Sequence, residues 1–138
     1  MDQDKRIPRK NLVAILVLAV GIGALVVSGP VFAGGAVEED PDTAEIRITA
    51  ENYEYRMGAS INPEIVVPVG ATVRVELEVT EGTHDWVVDE FDAATEQVDA
   101  GETTTVEFVA DEVGEFEYYC SRGTHREEGM YGAFVVRD

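Results

Sequence analysis

From Glu45 to the end of the chain, apolar residues recur at every second position, and this excludes a helical architecture for that region. The clearest case is Val73, Val75, Leu77 and Val79 alternating with Arg74, Glu76 and Glu78, the pattern of a strand with one buried and one solvated face. Ile46, Ile48 and Ala50 alternate with Arg47 and Thr49 in the same way. Further strands are expected at Glu64–Val67, Asp85–Asp89, Thr103–Val109, Glu115–Cys120 and Tyr131–Arg137. Turn signals fall between them, at Pro63, Pro68-Val69-Gly70, Glu81-Gly82, Ala100-Gly101 and Val113-Gly114. About seven short strands with glycine-bearing turns point to an all-β fold, an antiparallel sandwich or small barrel.

A different kind of sequence lies ahead of that region. Residues 1–11 carry Lys5, Arg6, Arg9 and Lys10, and Leu12–Val27 then runs for sixteen residues without a polar side chain. Continued to Ala33, the uncharged stretch is 22 residues long. A membrane-spanning helix needs about 17–25 such residues, and the apolar region of a secretion signal about 7–15. Val31-Phe32-Ala33 has the small-residue form of a cleavage site. Residues 12–33 therefore have two readings, an uncleaved transmembrane anchor and a signal peptide removed after Ala33. In both, the basic flank keeps residues 1–11 in the cytoplasm and delivers the rest to the extracytoplasmic face, held at the cell membrane or secreted. Gly34–Ala44 is rich in glycine, acids and proline and reads as an acidic linker to a domain at 45–138.

The chain of 138 residues holds 28 acids and 10 basic residues. The imbalance belongs to residues 38–138, with 26 acids against six arginines and no lysine. A surface of that sign repels a polyanion, so nucleic-acid binding is excluded as a main activity. The acid excess has two readings: a halophilic surface, solvated in a medium where the Debye length falls to about 3 Å at 1 M salt, or a docking face for a basic partner. Cys120 is the only cysteine, which rules out a disulfide scaffold. His84 and His125 are the only histidines, which rules out chemistry that needs several.

The candidate chemistry is concentrated in Glu115–Val136, EFEYYCSRGTHREEGMYGAFVV, where Cys120, His125 and Met130 follow a Cys-x4-His-x4-Met spacing. A strand leads into the cysteine, a glycine-bearing loop carries the histidine, and another strand starts after the methionine. The three side chains can thus converge at one hairpin tip. His84 begins a separate strand and can reach that tip from the same pole of a sandwich. Taken singly, these residues have plain roles: buried cysteine and methionine are commonly core filler, and a histidine beside a glycine turn is commonly a surface group. Together, a thiolate, two imidazoles and a thioether are the donor set of a blue-copper electron-transfer site. Cu(I) favours soft sulfur and Cu(II) favours imidazole, so a set acceptable to both spares the site a large rearrangement when an electron moves. Zinc is the competing ion, although structural zinc takes cysteine and histidine without a thioether.

Thr83-His84-Asp85-Trp86-Val87 together with YYCSRGTHREEGMYG resembles the cupredoxins, the plastocyanin and azurin family of small blue copper proteins, over about Glu45–Asp138. The ligand spacing is similar to that of phytocyanins. The acidic composition and N-terminal apolar segment are similar to those of halocyanins, which are typically lipid-anchored at a cysteine that this chain lacks. The resemblance implies a Greek-key β-sandwich and one type 1 copper ion, with His84, Cys120 and His125 equatorial and Met130 axial. It also implies a monomer that carries single electrons between membrane-associated redox proteins, and no enzymatic activity. An extracytoplasmic copper carrier or sensor is the alternative function, disfavoured by the lack of methionine-rich stretches. A copper enzyme would need further histidine ligands.

Two positions depart from the family pattern. Asp85 stands where many members carry asparagine, and an ionised carboxylate accepts hydrogen bonds without donating any. The side-chain tie from that strand to the cysteine loop then lacks its amide donor, and pairing with Arg122 or Arg126 is the other role open to Asp85. Arg122, Arg126, Glu127 and Glu128 surround His125, where relatives often present an apolar patch. They read as four solvated side chains pairing among themselves, or as a local docking spot. Met57 and Trp86 read as core or loop rather than as an electron relay.

Overall fold

The computed structural model describes residues 14–16 and 42–138. In chain order its strands are β1 (Ala14–Leu16), β2 (Thr43–Glu51), β3 (Glu54–Met57), β4 (Ser60–Ile61), β5 (Glu64–Pro68), β6 (Thr72–Val79) and β7 (Thr83–His84). There follow β8 (Val87–Val88), β9 (Ala93–Ala94), β10 (Val98–Asp99), β11 (Thr103–Val109), β12 (Gly114–Tyr119) and β13 (Tyr131–Arg137). One sheet runs in the order β11-β6-β2-β3-β4 and the other β1-β5-β13-β12-β8-β9, while β7 and β10 pair with each other.

The period-two pattern is what packs the two sheets together. Ala44, Ile46, Ile48 and Ala50 of β2 and Val73, Val75, Leu77 and Val79 of β6 are all buried. They share one core with Ile65, Val67, Phe134 and Val136 of the opposite sheet. Burying each large aliphatic or aromatic side chain contributes about 1.5–3 kcal/mol. Trp86 occupies the middle of this core, its ring 5.7 Å from that of Tyr118, 6.0 Å from Phe134 and 6.1 Å from Phe108. Met57, at the end of β3, is half-buried against the same cluster. Both residues are packing residues, in agreement with the sequence.

Several expectations need correction. The sheets are mixed rather than purely antiparallel: β2 pairs in parallel with β6, and β5 with β13. Parallel partners need a crossover of about a dozen or more residues, and the intervening β3–β5 and β6–β12 segments supply it. Asp85–Asp89 is not one strand. Trp86 N–H donates to Thr95 Oγ1 and Thr95 N–H donates to Trp86 O, both at 3.0 Å, so only Val87–Val88 joins the ladder before Asp89–Phe91 closes into a 3-10 turn. β2 also starts two residues before the expected boundary at Glu45, because Ala44 is buried opposite Val73.

Of the apolar segment 12–33, the described residues are Ala14–Leu16, which pair in parallel with Glu64–Val66 at the edge of a sheet. The remainder of that segment, and the choice between anchor and signal, lie outside the described residues. Among the described residues, no helix is long and apolar enough to cross a membrane.

Candidate metal centre

Cys120 follows the last residue of β12, and residues 121–130 return the chain to β13. Backbone bonds lace this return together. Cys120 N–H donates to Met130 O at 3.1 Å, Met130 N–H to His125 O at 3.0 Å and His125 N–H to Arg122 O at 3.0 Å. Gly129, at φ 102°, makes the reversal just before Met130. The backbone of the loop therefore sets Met130 beside both Cys120 and His125. Cys120 and Met130 are buried, and His125 is partly exposed.

His84 arrives from β7, which Thr83 fastens to β10 by a hydrogen bond from its Oγ1 to Asp99 Oδ1 at 2.5 Å. His84 is 2% exposed. Gly82 precedes it at φ 78°, and a Cβ there would stand 3.0 Å from His84 Nε2. With no side chain at that position, Nε2–H can donate to Glu81 O at 2.8 Å. That bond places the proton on Nε2 and leaves the Nδ1 lone pair facing inward, the orientation a metal-ligating imidazole needs.

Three donor atoms from distant parts of the chain meet there. His84 Nδ1 lies 3.2 Å from His125 Nδ1 and 3.8 Å from Cys120 Sγ, and His125 Nδ1 lies 3.5 Å from Cys120 Sγ. The circle through the three atoms has a radius of about 2 Å, close to metal–imidazole and metal–thiolate bond lengths of ~2.0–2.3 Å. Burial pulls the His84 pKa below that of an ordinary imidazole, so the ring is held neutral. Burial pushes the Cys120 thiol up, and the nearby backbone N–H groups of Asp85 and Arg122 work against that rise. Two imidazole nitrogens and a buried sulfur converging at these distances form a donor set that a first-row cation of soft preference would occupy.

Asp85 resolves differently from either sequence reading. It is buried, and its Oδ1 accepts a hydrogen bond from Ser121 N–H at 2.7 Å. Its Oδ2 accepts from Ser121 Oγ–H and from Gln97 Nε2. The tie between the His84 strand and the cysteine loop thus exists, with the donors supplied by Ser121. Arg122 instead donates to Gln97 Oε1 at 3.3 Å. Arg126 pairs with Glu117 at 2.6 Å and lies 4.1 Å over the Tyr119 ring. Neither arginine forms an ion pair with Asp85, Glu127 or Glu128; their partners are Gln97 and Glu117.

Further supporting residues went unnoticed in the sequence. Tyr55, fully buried, donates its hydroxyl hydrogen to Asp85 O. Asn62 accepts from Tyr55 N–H at 2.9 Å and donates from Nδ2 to Gly129 O at 3.2 Å. The β3–β4 hairpin thus braces both the His84 segment and the ligand loop. Asn62 holds its place at φ 45°, a left-handed conformation that asparagine tolerates. A cleft of about 470 Å³ opens beside His125, between Tyr53 and Arg122.

The sequence model of the multicopper oxidase family matches residues 65–138, a span that contains His84, Cys120, His125 and Met130. Among solved structures, dithionite-reduced auracyanin from Roseiflexus castenholzii is similar at a TM-score of 0.58 and 23% identity, over 68% of this chain and 97% of that one. Auracyanin A, a "blue" copper protein from Chloroflexus aurantiacus, matches at 0.58 and 19%, over 69% and 99% of the two chains. Rusticyanin from Thiobacillus ferrooxidans matches at 0.59 and 20%, over 70% and 78%. At these identities the likeness establishes a shared fold. No curated protein sequence matches significantly.

Proposed function

The chain belongs to the multicopper oxidase family and has the cupredoxin fold, and from that premise we propose that it is a small blue copper protein carrying single electrons between redox partners. The observation that carries this reading is the triangle of His84 Nδ1, His125 Nδ1 and Cys120 Sγ, with edges of 3.2–3.8 Å. His84, Cys120 and His125 would hold one type 1 copper ion, with the Met130 thioether as a further donor. A copper ion held by these residues would supply one-electron chemistry through its Cu(I) and Cu(II) states.

What the chain contributes is a donor set held in place in advance. Glu81 orients one imidazole, Asp85 and Ser121 join the two ligand-bearing segments, and the sandwich core supports both. Such a site changes little when its charge changes by one, which favours electron exchange over release of the ion. His125, partly exposed at the edge of the cleft, is the port through which an electron would pass. On this single-site reading the chain has no catalytic role of its own: both histidines are used, and oxygen or nitrite chemistry would need more.

The partners we propose are membrane-associated redox proteins at the extracytoplasmic face. Support comes from the basic N-terminal flank and the apolar stretch 12–33 that follows it. Optical and EPR spectra of the copper-loaded full chain test the assignment. The expected result is an intense visible thiolate-to-copper band that is lost in Cys120→Ser. A Cys120→Ser protein that keeps the colour would overturn it.

A further inference from the structure

The turn between β2 and β3 is a two-residue hairpin, Asn52-Tyr53, between the paired Glu51 and Glu54. Both residues have positive φ, 36° for Asn52 and 63° for Tyr53, as a type I′ turn requires. Asparagine suits the first place. The second is ordinarily glycine, and a bulky side chain there is a steric outlier. Strain of this kind persists where other contacts demand it, and it gathers at functional sites. Burial is not the demand, because Tyr53 is 43% exposed.

The ring of Tyr53 stands at 87° to the ring of His125, with centroids 4.7 Å apart, an edge-to-face contact. His125 is also the ligand in greatest need of a support. His84 is fixed by its bond to Glu81 O and is closed in the core, whereas His125 rides on a loop and is partly open to solvent. Two clefts reach His125, of about 470 and 220 Å³, and Tyr53 lines both.

On the copper-centre reading above, we infer that Tyr53 is a positioning residue for His125. Its ring fixes the plane of the imidazole so that Nδ1 points at Cys120 Sγ and His84 Nδ1, and it keeps water from the outer edge of the ligand. The unfavourable backbone of the turn is retained because no glycine could supply that ring.

The test uses the full chain with Tyr53→Gly, Tyr53→Leu and Tyr53→Phe. In the copper-free proteins, NMR relaxation of the His125 ring carbons should show a more mobile imidazole in the glycine and leucine variants and an unchanged one in Tyr53→Phe. After loading with Cu(II), removal of the metal by a chelator should be several-fold faster in the first two and restored in the third. The melting temperature of copper-free Tyr53→Gly should not fall, since glycine suits the turn. If the glycine and leucine variants keep the ring mobility and stripping rate of the native chain, Tyr53 does no more than fill the turn and the inference is overturned. Tyr53→Leu keeps the bulk and the strain, so it answers the question even if the glycine variant misfolds. A native chain that gains no visible thiolate band with Cu(II) would instead overturn the copper reading, whatever the variants do.

Discussion

Asp85 and Ser121, 36 positions apart in sequence, are joined at both the backbone and the side chain: Ser121 N–H donates to Asp85 Oδ1 at 2.7 Å, and Ser121 Oγ–H donates to Asp85 Oδ2. Each residue directly follows a candidate ligand, so this contact holds His84 and Cys120 at a fixed separation. Hydrogen bonds to a charged group contribute about 1.5–3 kcal/mol. Asp85→Ala should therefore lower the stability of the copper-free protein by about that amount in urea denaturation. Asp85→Asn keeps an oxygen for the Ser121 N–H and should lose less. Equal losses in the two variants would show that the carboxylate oxygen is not what matters.

Gly82→Ala should weaken the site through the ring it would strike. The backbone at Gly82 is left-handed, which costs alanine about 1–2 kcal/mol, and the new methyl would stand 3.0 Å from His84 Nε2. Gly58 is also left-handed, at φ 59°, but has open space around its Cβ position. Gly58→Ala is thus the control for backbone strain alone. Copper affinity, measured by competition with a chelator, should fall in Gly82→Ala and hold in Gly58→Ala. A parallel effect in both would remove the role assigned to the space beside His84.

Met130→Leu should keep the visible colour and raise the reduction potential, because losing a weak axial donor destabilises Cu(II) more than Cu(I). The two side chains have similar volume, so the fully buried position should lose less than about 1.5 kcal/mol of stability. Redox titration monitored at the visible band gives the potential. An unchanged value would mean that Met130 is a packing residue whose backbone alone serves the loop.

Arg126→Ala should have little effect on the fold. Arg126 pairs with Glu117 and covers Tyr119, but its side chain is 46% exposed. Exposed pairs contribute about 0–1 kcal/mol and weaken as salt rises. Thermal melts at low and high salt should differ by less than that between the native and variant chains. A loss near 3 kcal/mol, insensitive to salt, would point to a structural role for this network.

Much of the centre was legible because it is local. Cys120, His125 and Met130 lie within eleven residues on one strand–loop–strand segment, so their spacing alone brings them together. His84 is legible through topology, because a strand that begins after the Gly82 turn can open at the same pole as the hairpin tip. Tyr53, Tyr55, Asn62 and Ser121 were not found, because each acts on residues far away in the chain and none has a type that singles it out. Tyr55 read as one aromatic among several until its hydroxyl was seen to donate to the carbonyl of Asp85. The pairing given to Arg122 and Arg126 failed for the same reason. Exposed charges choose partners by small differences in distance, and no linear pattern encodes those distances.

Sequence alone determined that residues 45–138 would form a two-faced β structure, since a period of two can bury only one side of a strand, and that one soft N/S donor set was available to it. Tertiary structure alone decided which strands run in parallel, that Asp85 would meet Ser121, and that a tyrosine would be held in a left-handed turn against His125. Those outcomes depend on how the two sheets settle over a shared core, where close packing sets distances between side chains that no local pattern specifies.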